Sequence, residues 1–389
     1  MQIVDSESSF YGEILIEDGF IKEVSDKISI DCKTLDGKHK TLMPAFVDLH
    51  CHLREPGFEY KEDIESGSLA SVAGGYTTVV AMGNTKPACS SEEIYDFIKK
   101  RSKEVGLIDV FPVITITKDF NGKDISHLKD LPDKIKLISE DGYDVYDSDV
   151  MLNAMRICKN KGMMMMCHCD DLYLKNTDTR ASEDISTFRN IYLAEHTGCS
   201  IHICHVSTEK SMQYIIEAKN RGVKVTCEVT PHHLSLSGLS YRVNPPIREE
   251  SDTSFLINAI KNDLVDAIST DHAPHSKEEK EAAYPGLIGL ETSFPVCFTT
   301  LVKENGLSIN KLVKIMSENP SNILKIKKGK IKPGYEADLV LVDLDEKYKI
   351  EDKFYSKSNN SPFIGREVYG KILATLKSGN IVYTNGGFE

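Results

Sequence analysis

Eight short apolar runs recur through the middle of the 389-residue chain, at residues 45–49, 77–82, 110–116, 135–139, 163–167, 200–206, 223–229 and 265–270. Amphipathic helical stretches separate most of them. Stretch 91–105 stops at Gly106, 148–161 at Gly162 and 208–221 at Gly222. Glycine closes a helix because it takes the left-handed conformation without a steric penalty. Apolar strands alternating with helices require a parallel sheet covered on both faces. Counting alone admits a doubly wound open sheet, but eight runs favour a (β/α)8 TIM barrel, an α/β fold. A barrel adds an expectation, because its chemistry gathers at the C-terminal ends of the strands.

Polar residues do gather there. The first run ends at His50 and His52, the second leads into Asn84, and the fourth ends at Asp141. The fifth ends at His168, the sixth at His205, and the seventh leads into His232 and His233. The eighth ends at Asp271, with His272 and His275 just beyond. Residues i and i+2 of a strand share a face, so His50 and His52 present two imidazoles side by side. Arg54 joins them if the extended geometry continues. An isolated His-x-His is a weak motif, but one strand end among several of the same kind is not. Imidazoles and carboxylates on rigid elements suit a divalent metal. Cys51, Cys167 and Cys169 should point to the opposite face, and Met163 to Met166 read as a buried strand. His232 and His233 are expected in the core or behind the ligands. The charged run from Lys277 to Glu281 reads as a solvated loop, inside a lid spanning 272–286.

The ends of the chain have another rhythm. Residues 13–17 and 20–24 alternate around Asp18-Gly19, a hairpin signal. Near the C-terminus, 338–343 reads as a strand, and 371–379 with 381–383 as a second hairpin. The expected organisation is a small β-sandwich domain assembled from residues 1–42 and 332–389 around a barrel at 43–331. A net charge of −12 lacks the clustered cations of a nucleic-acid footprint. No apolar run is long enough to span a bilayer. The acidic N-terminus lacks a signal pattern, and ten cysteines without a CxxC pair read as reduced thiols. A cytoplasmic protein is the expectation.

From Met43 to Glu291 the motifs DLHCHLREPG, AMGNTKPA, SEDG, HCDD, HVST, VTPHH, NPPIR and DHAPH resemble, in order, those of bacterial-type (class I) dihydroorotases in the amidohydrolase superfamily. The resemblance implies a site for two divalent ions, zinc foremost, held by His50, His52, Asp141, His168, His205 and Asp271. The bridging carboxylate is Asp141 or, as elsewhere in the superfamily, a carboxylated lysine, here Lys136. The implied reaction is the reversible cyclisation of N-carbamoyl-L-aspartate to L-dihydroorotate in pyrimidine (UMP) biosynthesis. A metal-bridged hydroxide would attack the ring amide, with Asp271 as catalytic acid and base. His52, Arg54, Asn84, Asn244 and His275, with the backbone at Pro285 and Gly286, would contact the substrate. A homodimer or association with aspartate transcarbamoylase is the implied partnership. Three positions depart from the family pattern: Gly83 for proline, Asp170 for glutamate and Pro285 for phenylalanine. Alternatives are an allantoinase, dihydropyrimidinase or hydantoinase, or a silent partner of the transcarbamoylase. Arg54, Asn84 and His275 argue for a carboxylate-bearing ring, and silent partners lack the ligand histidines retained here.

Overall fold

Both ends of the chain meet in one sheet, in a computed structural model that describes residues 1–385. The N-terminal part supplies β1 (Gln2–Val4), β2 (Ser9–Tyr11), β3 (Glu13–Glu17), β4 (Phe20–Ser25) and β5 (Thr41–Pro44). Strands β3 and β4 pair as a hairpin whose turn residues, Asp18 and Gly19, have φ of 51° and 83°. Two positive φ values in succession match the twist of the flanking strands.

The barrel strands follow: β6 (Phe46–Cys51), β7 (Tyr76–Ala81), β8 (Asp109–Pro112), β9 (Ile114–Thr115), β10 (Leu137–Ser139), β11 (Met164–Cys167), β12 (Ser200–Ile203), β13 (Val225–Val229) and β14 (Ala267–Ile268). One expected run, 110–116, is two strands. Its first half pairs with β7 and its second with β10, so the chain changes partner at Val113. All of these pairings are parallel, and the ring closes through a bridge between Cys51 and His272. Thr270 clasps the same seam, donating its N–H and hydroxyl to Asp48 at 2.9 and 2.6 Å.

Helices α1 (Ile64–Ala73), α2 (Glu92–Val105), α3 (Ser148–Lys161), α4 (Thr179–Thr197), α5 (Glu209–Asn220), α6 (Pro231–Ser235), α7 (Glu250–Lys261) and α8 (Lys277–Glu281) come between or after the strands. The caps follow the sequence. Ser91 accepts the N–H of Ile94 at the start of α2, and Gly106 ends it with φ 74°. Val47, Leu49, Val80, Met82, Leu137 and Met166 pack inside the barrel, and a larger cluster fills the space between strands and helices. No helix among the described residues is long and apolar enough to cross a membrane. Cys32 is exposed, the other cysteines are buried, and all are free thiols.

After the barrel the chain returns through β15 (Leu339–Lys349), β16 (Glu367–Lys377) and β17 (Asn380–Thr384). The six-stranded sheet runs β17-β16-β15-β5-β1-β2, so strands from both ends are neighbours. The β3–β4 hairpin contributes Ile14, Ile16, Ile21 and Val24 to an apolar cluster with Leu42, Leu339 and Leu341 of that sheet.

Glu291 ties the barrel to the returning segment, accepting the N–H groups of Tyr355 at 3.0 Å and Ser356 at 3.1 Å. Burial pushes its carboxyl up to about 7, against those two donors and with help from the charge of Glu62. A carboxyl that holds its proton more tightly when folded loses stability as pH rises from its unfolded value of 4.5 to about 7. Glu291→Gln keeps an acceptor but does not titrate. The Tm of this variant minus that of the wild type should therefore increase across that window, on the order of 2 °C. A difference that stays flat with pH would contradict the assignment.

Candidate active site

The two histidines of the first barrel strand owe their direction to an irregularity. Pairing between β6 and β7 shifts register between Asp48 and Cys51. Val47 and Leu49 belong to the cluster inside the barrel, whereas Cys51 packs with the outer cluster. Such a bulge re-aims side chains. It brings His50 Nε2 to 3.2 Å and His52 Nε2 to 3.4 Å from the two oxygens of Asp141. Each ring is held from behind. His50 Nδ1 donates to Glu228 Oε1 and His52 Nδ1 to Asn84 Oδ1, both at 2.9 Å. With Nδ1 so engaged, the Nε2 atom of each ring faces the centre.

Asp141 is where the strand ends converge. Its Oδ1 also lies 3.2 Å from His168 Nδ1 and 3.7 Å from His205 Nε2, so one carboxylate reaches all four imidazoles. Burial alone would raise its carboxyl, but His50, His168 and His205 hold it well below the usual range. Its neighbour Glu140 points elsewhere and accepts the backbone N–H of Thr117 at 2.8 Å. Asp271 Oδ1 sits 3.3 Å from His52 Nε2 and 3.6 Å from His50 Nε2. Burial raises its carboxyl as well, and His52, His50 and His205 hold it low.

The donor set fits a divalent metal. Two overlapping triads, His50–His52–Asp271 and His50–Asp141–His205, each have ligand atoms within 4.8 Å of one another. His50 Nε2 and Asp141 Oδ1 are buried with no hydrogen-bond partner among the described residues. Buried polar atoms are rarely left unpaired, and imidazole nitrogen with carboxylate oxygen is a combination that borderline ions take.

Arg54 is at the mouth, though not by continuing the strand. Its φ is 64°, so the chain leaves the extended conformation there. The guanidinium is buried and donates to His275 Nε2 at 3.4 Å. Among the described residues its Nε has no partner and no carboxylate lies within ion-pair distance. Asn244 Nδ2 is 3.3 Å from both His168 Nε2 and Asp170 Oδ2. Gly286 is buried beside His275, where a Cβ would come within 2.9 Å of that ring, while Pro285 is exposed. The Gly286 N–H is already given to Arg242 O at 3.0 Å.

Lys136 lies outside this group. It is exposed, precedes β10, and its Nζ approaches Lys161 O at 3.4 Å. An ammonium on the outer surface cannot be carried to the barrel axis by a side-chain rotation, whereas Asp141 already reaches all four imidazoles.

A pattern for the amidohydrolase family matches residues 41–382. Over 388 residues the chain is 48% identical to the dihydroorotase of Clostridium botulinum (strain Eklund 17B / Type B), covering 98% of both. It is 38% identical over 411 residues to the dihydroorotase of Aquifex aeolicus (strain VF5), covering 98% of this chain and 97% of that one. The chain belongs to the dihydroorotase family of the amidohydrolase superfamily. Among solved structures, the L-hydantoinase (dihydropyrimidinase) from Arthrobacter aurescens matches all of the chain and 95% of its own, with TM-score 0.90 and 24% identity. A D-hydantoinase (dihydropyrimidinase) from Thermus sp. matches with TM-score 0.86, 22% identity and the same coverage. These likenesses concern the fold.

Several residues that build the family's barrel mouth here are absent from the sequence-based expectation. Glu228 is fully buried inside the barrel and binds His50 and, at 3.1 Å, His202 Nε2. Ser269 donates to the same carboxylate. A signal was present, because Thr226 and Glu228 alternate with Cys227 and Val229, putting polar residues where a barrel interior is ordinarily apolar. His272 turns away from the centre, to Glu62 Oε2 at 3.2 Å and the N–H of Gly289 at 3.1 Å. His233 is tied to Thr230 and Pro245 O, and His232 is buried with no partner on either nitrogen among the described residues. The run 277–281 is a helix with a Ser276–Glu279 capping box, not a solvated loop.

Metal addition gives a direct check on the cluster. Chelator-treated protein should gain stability when a divalent ion is added, about 2.7 kcal/mol at a hundredfold excess over Kd. Asp141→Ala should lose most of that gain in thermal unfolding. An undiminished gain would remove Asp141 from the ligand set.

Proposed function

We propose that this chain is a dihydroorotase, closing N-carbamoyl-L-aspartate to L-dihydroorotate and hydrolysing the ring in reverse, in pyrimidine biosynthesis. The observation that carries the substrate is Arg54. A guanidinium buried without an anionic partner is costly, and a substrate carboxylate supplies the partner in a fork-shaped pairing. His275 contacts it, Asn84 holds the nearby His52, and Asn244 stands beside His168, where the ring would lie.

His50, His52, Asp141, His168, His205 and Asp271 would hold the metal, with Asp141 as the bridge. Bound there, divalent ions would acidify water and polarise the amide carbonyl. Asp271 is ionised, so it is ready to take a proton from the attacking water and return it to the leaving ring nitrogen. Glu228 and Asn84 keep His50 and His52 in the tautomer that leaves Nε2 free. The reading extends to two ions, zinc foremost, and to a cytoplasmic enzyme that self-associates or pairs with aspartate transcarbamoylase. It also divides the chain into a β domain of residues 1–42 and 332–389 and a barrel of residues 43–331.

Steady-state hydrolysis of L-dihydroorotate beside allantoin and hydantoin tests the assignment. Dihydroorotate should be preferred, and a preference for either of the others would overturn it. Asp271→Ala should abolish turnover while keeping the fold. Arg54→Ala should lower kcat/KM for dihydroorotate by at least about thirtyfold, as when a buried charge loses its partner.

A further inference from the structure

The helix α8 is short, and its capping box uses Glu279 for more than a cap. The Glu279 N–H goes to Ser276 Oγ at 3.3 Å, and its carboxylate accepts the Ser276 N–H at 3.2 Å. Capping of this kind needs one oxygen and leaves the rest of the group in solvent. Here the same carboxylate accepts three further donors: Lys61 Nζ at 2.7 Å, Tyr60 Oη at 2.8 Å and His275 Nδ1 at 3.0 Å. Its side chain is only 16% exposed. Tyr60 and Lys61 belong to the loop that follows Arg54, whereas His275 and Glu279 belong to the segment after β14. One carboxylate therefore joins the two segments that meet over the guanidinium.

The contact also determines what His275 can offer. Its Nδ1 proton is given to Glu279, and burial with the Arg54 charge pushes the ring down to about 4, so it is neutral near pH 7. The remaining lone pair, on Nε2, receives Arg54 at 3.4 Å and so holds the guanidinium from one side. A ring released from Glu279 could turn over and lose that contact. We propose that Glu279 is a positioning residue for the substrate carboxylate: it docks α8 against the Arg54 loop and fixes the His275 ring that steadies the guanidinium. This rests on the dihydroorotase reading. None of the Glu279 partners is a candidate metal ligand, so the effect falls on substrate capture and not on the chemical step.

Kinetics on the full-length, metal-loaded enzyme separate this role from a merely structural one. Glu279→Ala should raise KM for L-dihydroorotate about tenfold, with kcat within about threefold, the loss expected from uniform binding interactions. Glu279→Asp keeps the charge but falls one methylene short, and should raise KM about fivefold. Glu279→Gln keeps the length but only one acceptor oxygen and no charge, so it can serve His275 or the Tyr60–Lys61 pair but not both, and should raise KM less than Glu279→Ala does. An unchanged or lower KM in Glu279→Ala, equal losses in Ala and Gln, or a fall in kcat at constant KM would each overturn the proposal. If Glu279→Ala does not fold, Glu279→Asp decides the matter in the same way. Wild-type enzyme that fails to turn over dihydroorotate would defeat the functional reading instead, so the two failures are distinguishable.

Discussion

A single carboxylate, buried to 4% exposure and facing four imidazoles, sets the conditions for the rest of the barrel mouth. An isolated anion at that depth would be expelled or neutralised. Asp141 persists as an anion because three strand ends bring four imidazoles toward it. Each imidazole nearest it then needs a partner on its far side. Glu228 supplies one for His50, Asn84 one for His52, and Asn244 with Asp170 one for His168. The polar layer inside the barrel is thus a consequence of the centre above it. A barrel interior filled only with branched apolar side chains could not orient these rings.

Backbone strain follows the same logic. Arg54, His205 and Asp271 are non-glycine residues with φ of 64°, 36° and 45°. Each costs on the order of 1–3 kcal/mol and persists only where the surroundings over-determine it. Those surroundings are visible. Thr270 is clasped to Asp48 just before Asp271, and the N–H groups of Ser207 and Thr208, just after His205, are held by Glu183 at 2.9 and 3.1 Å. Glu183 in turn is paired with Arg248 at 3.1 Å. These three, out of twelve non-glycine residues with positive φ among the described residues, are proposed to act on metal or substrate. The scaffold spends rigidity where the reaction needs fixed atoms.

Much of this was legible in the sequence because it depended on period and position. The strand runs, the helix stops and the gathering of histidines and aspartates at one mouth all follow from where apolar residues recur and where they cease. The terminal β structure was legible in part, since Asp18-Gly19 marked the hairpin that packs on the composite sheet. What escaped is what depends on a single residue's conformation or on a distant partner. The slip between Asp48 and Cys51 re-aims His50 without altering the hydrophobic pattern. Lys136 looked enclosed between Ile135 and Leu137, yet β10 starts only at Leu137 and leaves the lysine outside. Glu279 sat in a charged run that composition assigns to solvent. The Ser-x-x-Glu spacing there was a helix signal, but Lys61 and Tyr60, which make the residue consequential, are more than 200 residues away.

The distribution of charge resolves an apparent conflict between a protein of net charge −12 and an anionic substrate. The floor of the mouth is anionic, with Asp141 and Asp271, and it would repel a carboxylate unless cations occupy it. Arg54 is the buried cation beside that floor, and Lys61 is the next one out. If both were free, the substrate would have two competing places for its carboxylate. Glu279 takes Lys61 at 2.7 Å, which leaves the Arg54 fork as the unmatched charge. His275, kept neutral, adds direction without adding a second positive site. On the proposed reading, selectivity for a carboxylated ring comes less from the number of positive groups than from leaving the Arg54 guanidinium unpaired while Lys61 is paired.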